Sequence, residues 1–191
     1  TNIYQDIATR TGGDIYIGVV GPVRCGKSTF IKRFMEQMVL PYMNDEHDRE
    51  RTIDEMPQSA AGKTIMTTEP KFIPKEAAVI HFSNQETGKI RLIDCVGYLV
   101  PEAVGAIEEE KERMVKTPWS EEEIPFSKAA EIGTSKVIRE HSNLGLIITT
   151  DGSFGDIPAV NFEEALQKTV MECEKAGKPF LILVNTSRPD S

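Results

Sequence analysis

Cysteine is scarce in this chain: Cys25, Cys95 and Cys173 are odd in number, far apart and without zinc-ligand spacing. A disulfide framework is thereby excluded, and the three fit a reducing compartment as small, semi-buried residues. Histidine is as thin, with His47, His81 and His141 scattered along the sequence. Their spacing supports neither a metal site nor a Ser-His-Asp arrangement, and they read as surface or satisfied structural residues. No apolar run approaches the roughly 20 residues needed to span a bilayer, and no signal-peptide pattern opens the chain. These absences predict a soluble, cytoplasmic protein without direct membrane insertion. Lys and Arg total 22 against 30 Asp and Glu, a net charge of -8, which argues against a broad nucleic-acid or anionic-lipid surface. Internal repeats and low-complexity tracts are also missing.

What remains is ordinary globular material. With 191 residues, 39% of them hydrophobic, the chain can bury one sizeable core, so 1–191 reads as one domain. It opens at Thr1 rather than at methionine and ends just after a strand-like run, which predicts an N-terminal fragment of something longer.

Gly21-Pro22-Val23-Arg24-Cys25-Gly26-Lys27-Ser28 is a full match to the phosphate-binding pattern G-x-x-x-x-G-K-[ST] (Walker A). The β-rich Ile15 to Val20 precedes it, and residues with helical apolar spacing follow from Ser28, so the required strand, loop and helix are present. Gly21 and Gly26 permit a turn whose backbone N–H groups, with those of Cys25, Lys27 and Thr29, face phosphate oxygens. Lys27 supplies a point charge for the β- and γ-phosphates, and the Ser28 hydroxyl a ligand for magnesium (Mg2+).

Further along, a helix is expected from about Lys27 to Leu40, ending before Pro41. Residues 44–58 are dense in charge and read as a solvated helix or a loop. Ala60 to Pro70 is rich in small residues and threonine, at the place where P-loop switch proteins keep the loop that senses the γ-phosphate. Thr67 and Thr68 are candidates to meet magnesium and that phosphate. Ala77 to Phe82 and Lys89 to Asp94 read as a hairpin of strands, the second ending in Asp94-Cys95-Val96-Gly97, a D-x-x-G match. There Asp94 would bind magnesium through water and the Gly97 N–H would contact the γ-phosphate. Residues 99–125 read as an insertion whose one tryptophan, Trp119, anchors it to the body. A helix over about 126–141, a strand over 144–151, a helix over 161–175 capped by Asn161, and a strand over 178–185 complete the alternation. The fold class expected is α/β: a three-layer P-loop NTPase with a mostly parallel sheet, of the translation-factor-related GTPase type.

Three departures from that GTPase type are informative, and the first points to adenine. Where N-K-x-D reads guanine, this chain has Asn185-Thr186-Ser187-Arg188, and the arginine at 188 cannot accept the hydrogen bonds that an aspartate accepts. ATP is the expected nucleotide, with Asn185, Ser187 and Arg188 near its base. Tyr98 stands where Ras-like proteins have a water-positioning glutamine, which predicts slow hydrolysis or a catalytic group from elsewhere. Arg24 replaces the usual asparagine within the loop and is a candidate arginine finger in cis.

Taken together, the loop Gly21 to Ser28, the segment Pro57 to Pro70, Asp94 to Tyr98 and Asn185 to Pro189 resemble the N-terminal ATPase domain of the stage IV sporulation protein A family. Ile148 to Gly152 and Thr117-Pro118-Trp119 fit that family too. The resemblance implies a spore-coat morphogenetic protein that hydrolyses ATP to self-associate into a static polymer around the forespore. It also implies a mother-cell location at the outer forespore membrane. Recruitment there would use a small amphipathic peptide, recognised with other coat proteins through a C-terminal region outside this sequence. The contrasting expectation is a GTP-dependent regulatory switch; a small-molecule kinase is disfavoured, because the 99–125 insertion carries Arg113 alone of the arginines a lid needs.

Overall fold

The structure, a computed structural model, describes residues 12–22, 25–57, 69–82, 85–100, 107–108, 111–153 and 157–189. Strand β1 (Asp14–Val20) leads through the loop to helix α1 (Lys27–Phe34). The helical path then loosens into a π turn (Met35–Val39) and tightens into a 3-10 turn (Leu40–Tyr42). Pro41 thus lies inside the final turn rather than beyond it. Near the start of a short turn its missing N–H needs no partner. Helix α2 (Glu46–Glu55) decides the charged stretch in favour of a helix: the Asp45 carboxylate accepts the Asp48 N–H at 2.8 Å, with Glu46 and Asp48 in the first turn.

Strands β2 (Lys71–His81) and β3 (Thr87–Cys95) form the expected hairpin, with β2 beginning six residues earlier than its apolar pattern suggested. Pro74 sits where the pairing shifts between Ile73 and Ala78, on the outermost strand, where a proline costs the sheet least. Two small hairpins follow, β4 (Ile107–Glu108) with β5 (Lys111–Glu112), and β6 (Met114–Thr117) with β7 (Ser120–Pro125). The insertion is tied down by Val115, Val96 and Leu99 around the fully buried Phe126. Trp119, expected as that anchor, is instead half-buried at the β6–β7 turn, its backbone N–H donating to the Thr117 hydroxyl.

Helix α3 (Phe126–Lys136) with a π turn (Val137–His141), β8 (Leu144–Thr150), α4 (Val160–Ala176) and β9 (Phe180–Asn185) complete the chain. Ala159, not Asn161, occupies the cap position of α4, and no side chain caps that end. The central sheet has the order β2-β3-β1-β8-β9, parallel except for β2. Alternation along its strands sends Ile15, Ile17, Val19, Ile90 and Leu92 to one face, against Ile31, Met35 and Val39 at i, i+4 spacing. Val20, Ile93, Cys95 and Ile147 face the other way, against Val137, Ile138 and Cys173. Helices therefore cover both faces of a mostly parallel sheet, the arrangement that alternating strands and helices require. All three cysteines are buried and unpaired. Among the histidines, His47 is exposed and His141 meets Phe72 edge to face at 5.5 Å. No described helix is long and apolar enough to cross a membrane.

Candidate functional site

Because β1, β3, β8 and β9 run parallel, their C-terminal ends meet at one edge of the sheet, where open α/β sheets place ligands. Val20 stands beside Cys95 and Thr150 beside Asn185, so residues 21–22, 25–28, 94–98, 150–153 and 185–188 converge there.

Residue types in the loop follow from close approach. A Cβ on Gly21 would lie 2.6 Å from the Ile148 carbonyl oxygen and 2.9 Å from the Cys25 sulfur, so the chain passes there only as glycine. Gly26 has φ 88°, the left-handed region, and hands the chain into α1; its missing Cβ is also the space taken by the Asn185 amide. No side chain caps the start of α1, so its first-turn amides lack partners within the helix and suit an anion. Ser28 and Thr29 are exposed at that end. Cys25 turns its side chain into the core, and burial pushes its thiol pKa up, so only its backbone faces the loop. Its carbonyl accepts a hydrogen bond from Asn185 Nδ2 at 3.1 Å.

Lys27 reaches across to the end of β3. Its Nζ lies 2.8 Å from Asp94 Oδ1 and donates to the Cys95 carbonyl at 2.8 Å, with the two side chains only 11% and 21% exposed. Gly21 N–H donates to the same carbonyl at 3.2 Å, which locks the loop to β3. Asp94 Oδ1 is buried without an aligned hydrogen bond; the lysine contact balances its charge and leaves its lone pairs unfilled. A buried carboxylate oxygen without an aligned hydrogen bond, beside the lysine that opens α1, fits a hard, oxygen-seeking cation such as magnesium. Among the described residues no three His, Cys, Asp or Glu side chains cluster, so a cation here would have to draw further ligands from a phosphate and water.

Gly97 is buried against Val20, close behind Gly21. Tyr98 packs with Val100, Ile157, Phe162 and Ala165, and Lys168 of α4 stands 5.9 Å from its ring centroid. Burial first, then the charges of Glu172 and Glu131, push its phenol up to about 12. Its place is with α4, in keeping with the expectation that this side chain does not position the attacking water. Arg24, Thr67 and Thr68 lie outside the described residues. Arg188 is exposed, its N–H bonded to the Thr186 hydroxyl at 2.9 Å.

Sequence reasoning missed Asp151. One of its oxygens accepts the Ser153 N–H at 2.9 Å and the other the Thr186 hydroxyl at 2.6 Å, and these bonds hold its pKa at about 2. Its position at the C-terminal end of an apolar strand, as with Asp94, was the available signal.

Over residues 1–191 the chain matches the family described as stage IV sporulation protein A, ATPase domain. It is 58% identical to stage IV sporulation protein A of Bacillus subtilis (strain 168) over 188 residues, 98% of this chain and 38% of the relative. Identity is 57% to the Bacillus anthracis protein of the same name and 51% to that of Clostridioides difficile (strain 630). The chain spans well under half the length of these relatives. On a match along its whole length and on relatives more than half identical to it, this chain belongs to the stage IV sporulation protein A ATPase-domain family.

Proposed function

We propose that this chain binds ATP with magnesium at the loop 21–28 and hydrolyses it slowly. In the longer protein that hydrolysis drives self-association into a static platform around the forespore, at the mother-cell face of its outer membrane, with a small amphipathic peptide and other coat proteins as partners. The observation that carries the first part is the convergence of Gly26, Lys27 and Asp94: a left-handed glycine opening a helix, a lysine at its start, and a carboxylate 2.8 Å from that lysine. The family name carries the ATPase part, and the antiparallel β2 beside an otherwise parallel sheet favours a relationship to the translation-factor GTPases.

Each residue has a distinct task in this proposal. The N–H groups of Gly26, Lys27, Ser28 and Thr29 hold phosphate oxygens, and Lys27 leaves Asp94 to meet the β- and γ-phosphates. Ser28 and Asp94 would hold magnesium, with Thr67 or Thr68. Magnesium there supplies charge neutralisation of the phosphates. Gly97 offers an N–H at the same end of β3, Arg24 places positive charge beside the phosphates, and Asn185, Ser187 and Arg188 border the base. Lys27→Ala should abolish ATP binding, whereas Asp94→Ala and changes at Thr67 or Thr68 should reduce turnover more than affinity. Equal loss of binding in all of them contradicts these roles. Competition between ATP and GTP tests the base assignment: preference for GTP would instead make the chain a guanine-nucleotide switch.

A further inference from the structure

Between the end of β8 and the end of β9 lies a second set of contacts, centred on Asp151, to which no role was given above. Asp151 is exposed, yet both carboxylate oxygens are spent on its own protein: Oδ1 accepts the Ser153 N–H at 2.9 Å and Oδ2 the Thr186 hydroxyl at 2.6 Å. The Thr186 hydroxyl, having donated to Asp151, accepts the Arg188 N–H at 2.9 Å. In parallel, the Ser187 N–H donates to the Ser153 hydroxyl at 2.8 Å. Every backbone N–H from 187 to 188 is thus fixed by a side chain that Asp151 or its turn controls.

We propose that Asp151 is a positioning residue for nucleotide selectivity, holding residues 186–188 in the one conformation that fits the base of the bound nucleotide. This rests on the assignment of 185–188 to the base. The reasoning is geometric. Asn185 is the last paired residue of β9, opposite Thr150, and its amide reaches the Cys25 carbonyl at 3.1 Å; it is held by the sheet and the loop whatever Asp151 does. Residues 186–188 lie past the last ladder pair, so the carboxylate and the Ser153 hydroxyl take the sheet's place there. A carboxylate is suited to this: it only accepts, so Thr186 must donate to it and is left with its lone pairs turned to the Arg188 N–H. Hydrogen bonds to Ser153 and Thr186 hold the carboxyl below the usual carboxylate range, so it remains an acceptor at neutral pH.

Asp151→Asn keeps size but sets an amide donor against the Thr186 hydroxyl or strips the Ser153 N–H of its acceptor, and the relay reverses or breaks. Thr186→Val removes the hydroxyl at constant shape, and Thr186→Ser restores it without the methyl group. Calorimetric titration of each protein with ATP, GTP and inorganic triphosphate separates base from phosphate recognition. Asp151→Asn and Thr186→Val should lose about tenfold in ATP affinity and narrow the ATP-to-GTP ratio, with triphosphate bound as tightly as before. Thr186→Ser should recover most of the selectivity. Unchanged ATP affinity and ratio in both disruptive variants overturns the proposal, and so does an equal loss for triphosphate, which would mean a general collapse of the loop. If the unaltered protein takes up none of the three, the assignment of the site itself has failed, and that is visible before any variant is compared.

Discussion

Replacing Lys27 should weaken the protein even with no nucleotide present. In the structure its ammonium is the balancing charge for Asp94, 2.8 Å away, on a carboxylate 21% exposed whose Oδ1 has no aligned hydrogen bond. Lys27→Met keeps the aliphatic stem and removes the charge, so the perturbation is confined to an uncompensated carboxylate. Breaking a fully buried pair costs about 3–5 kcal/mol; with partial exposure of both groups, about 2 kcal/mol is the magnitude expected here. For a chain of this size that lowers the thermal midpoint by roughly 4–8 °C. Asp94→Asn removes the charge it leaves behind, so Lys27→Met with Asp94→Asn should recover part of the loss, with a coupling of at least about 1 kcal/mol in a double-mutant cycle. Urea unfolding followed by circular dichroism, in nucleotide-free buffer, gives all four stabilities. Additive losses, or a Lys27→Met variant as stable as the parent, would refute the claim that the lysine rests on the carboxylate before nucleotide arrives.

Other consequences are simpler to check. Gly26→Ala puts a Cβ into the Asn185 amide at a left-handed φ of 88°; calorimetry should find ATP uptake lost, and a variant that binds normally contradicts the described loop. Phe126→Ala empties the space between Val96, Leu99 and Val115 and should cost about 3–5 kcal/mol in urea unfolding, with proteolysis beginning in the 111–125 hairpins. Tyr98 has a folded pKa raised to about 12 from 10, so its contribution is complete below pH 10 and is lost as pH rises towards 12. Tyr98→Phe should therefore flatten the alkaline fall in stability while turnover at neutral pH is kept, and a large loss of turnover would show that the phenol acts in the reaction.

The parts of this protein legible in the sequence are those governed by local pattern. Ile15 to Val20 could be read as a buried strand because five of its six residues are apolar, and the loop motif fixed where the following helix begins. The order of strand, loop, helix and hairpin then left little freedom for the sheet. Tertiary competition governed the misses. Trp119 drew attention as a lone large aromatic, but Phe126, at the start of a helix that crosses the sheet, had the better access to the interior. Asn161 is a good cap by type, yet the chain enters α4 two residues earlier at Ala159. At the site, Gly21, Gly26, Lys27 and Asp94 were legible because phosphate chemistry constrains their spacing. Asp151 was not, since its partners Ser153 and Thr186 come together only when β8 and β9 pair.

Titration of the unaltered protein and of Lys27→Ala with ATP, each with and without magnesium, bears most directly on the central claim. The unaltered protein should bind one ATP per chain, more tightly with magnesium, and Lys27→Ala should show no heat of binding in either buffer. ATP uptake by Lys27→Ala equal to that of the parent, or none by the parent, would mean that the amides around Lys27 do not hold a nucleotide.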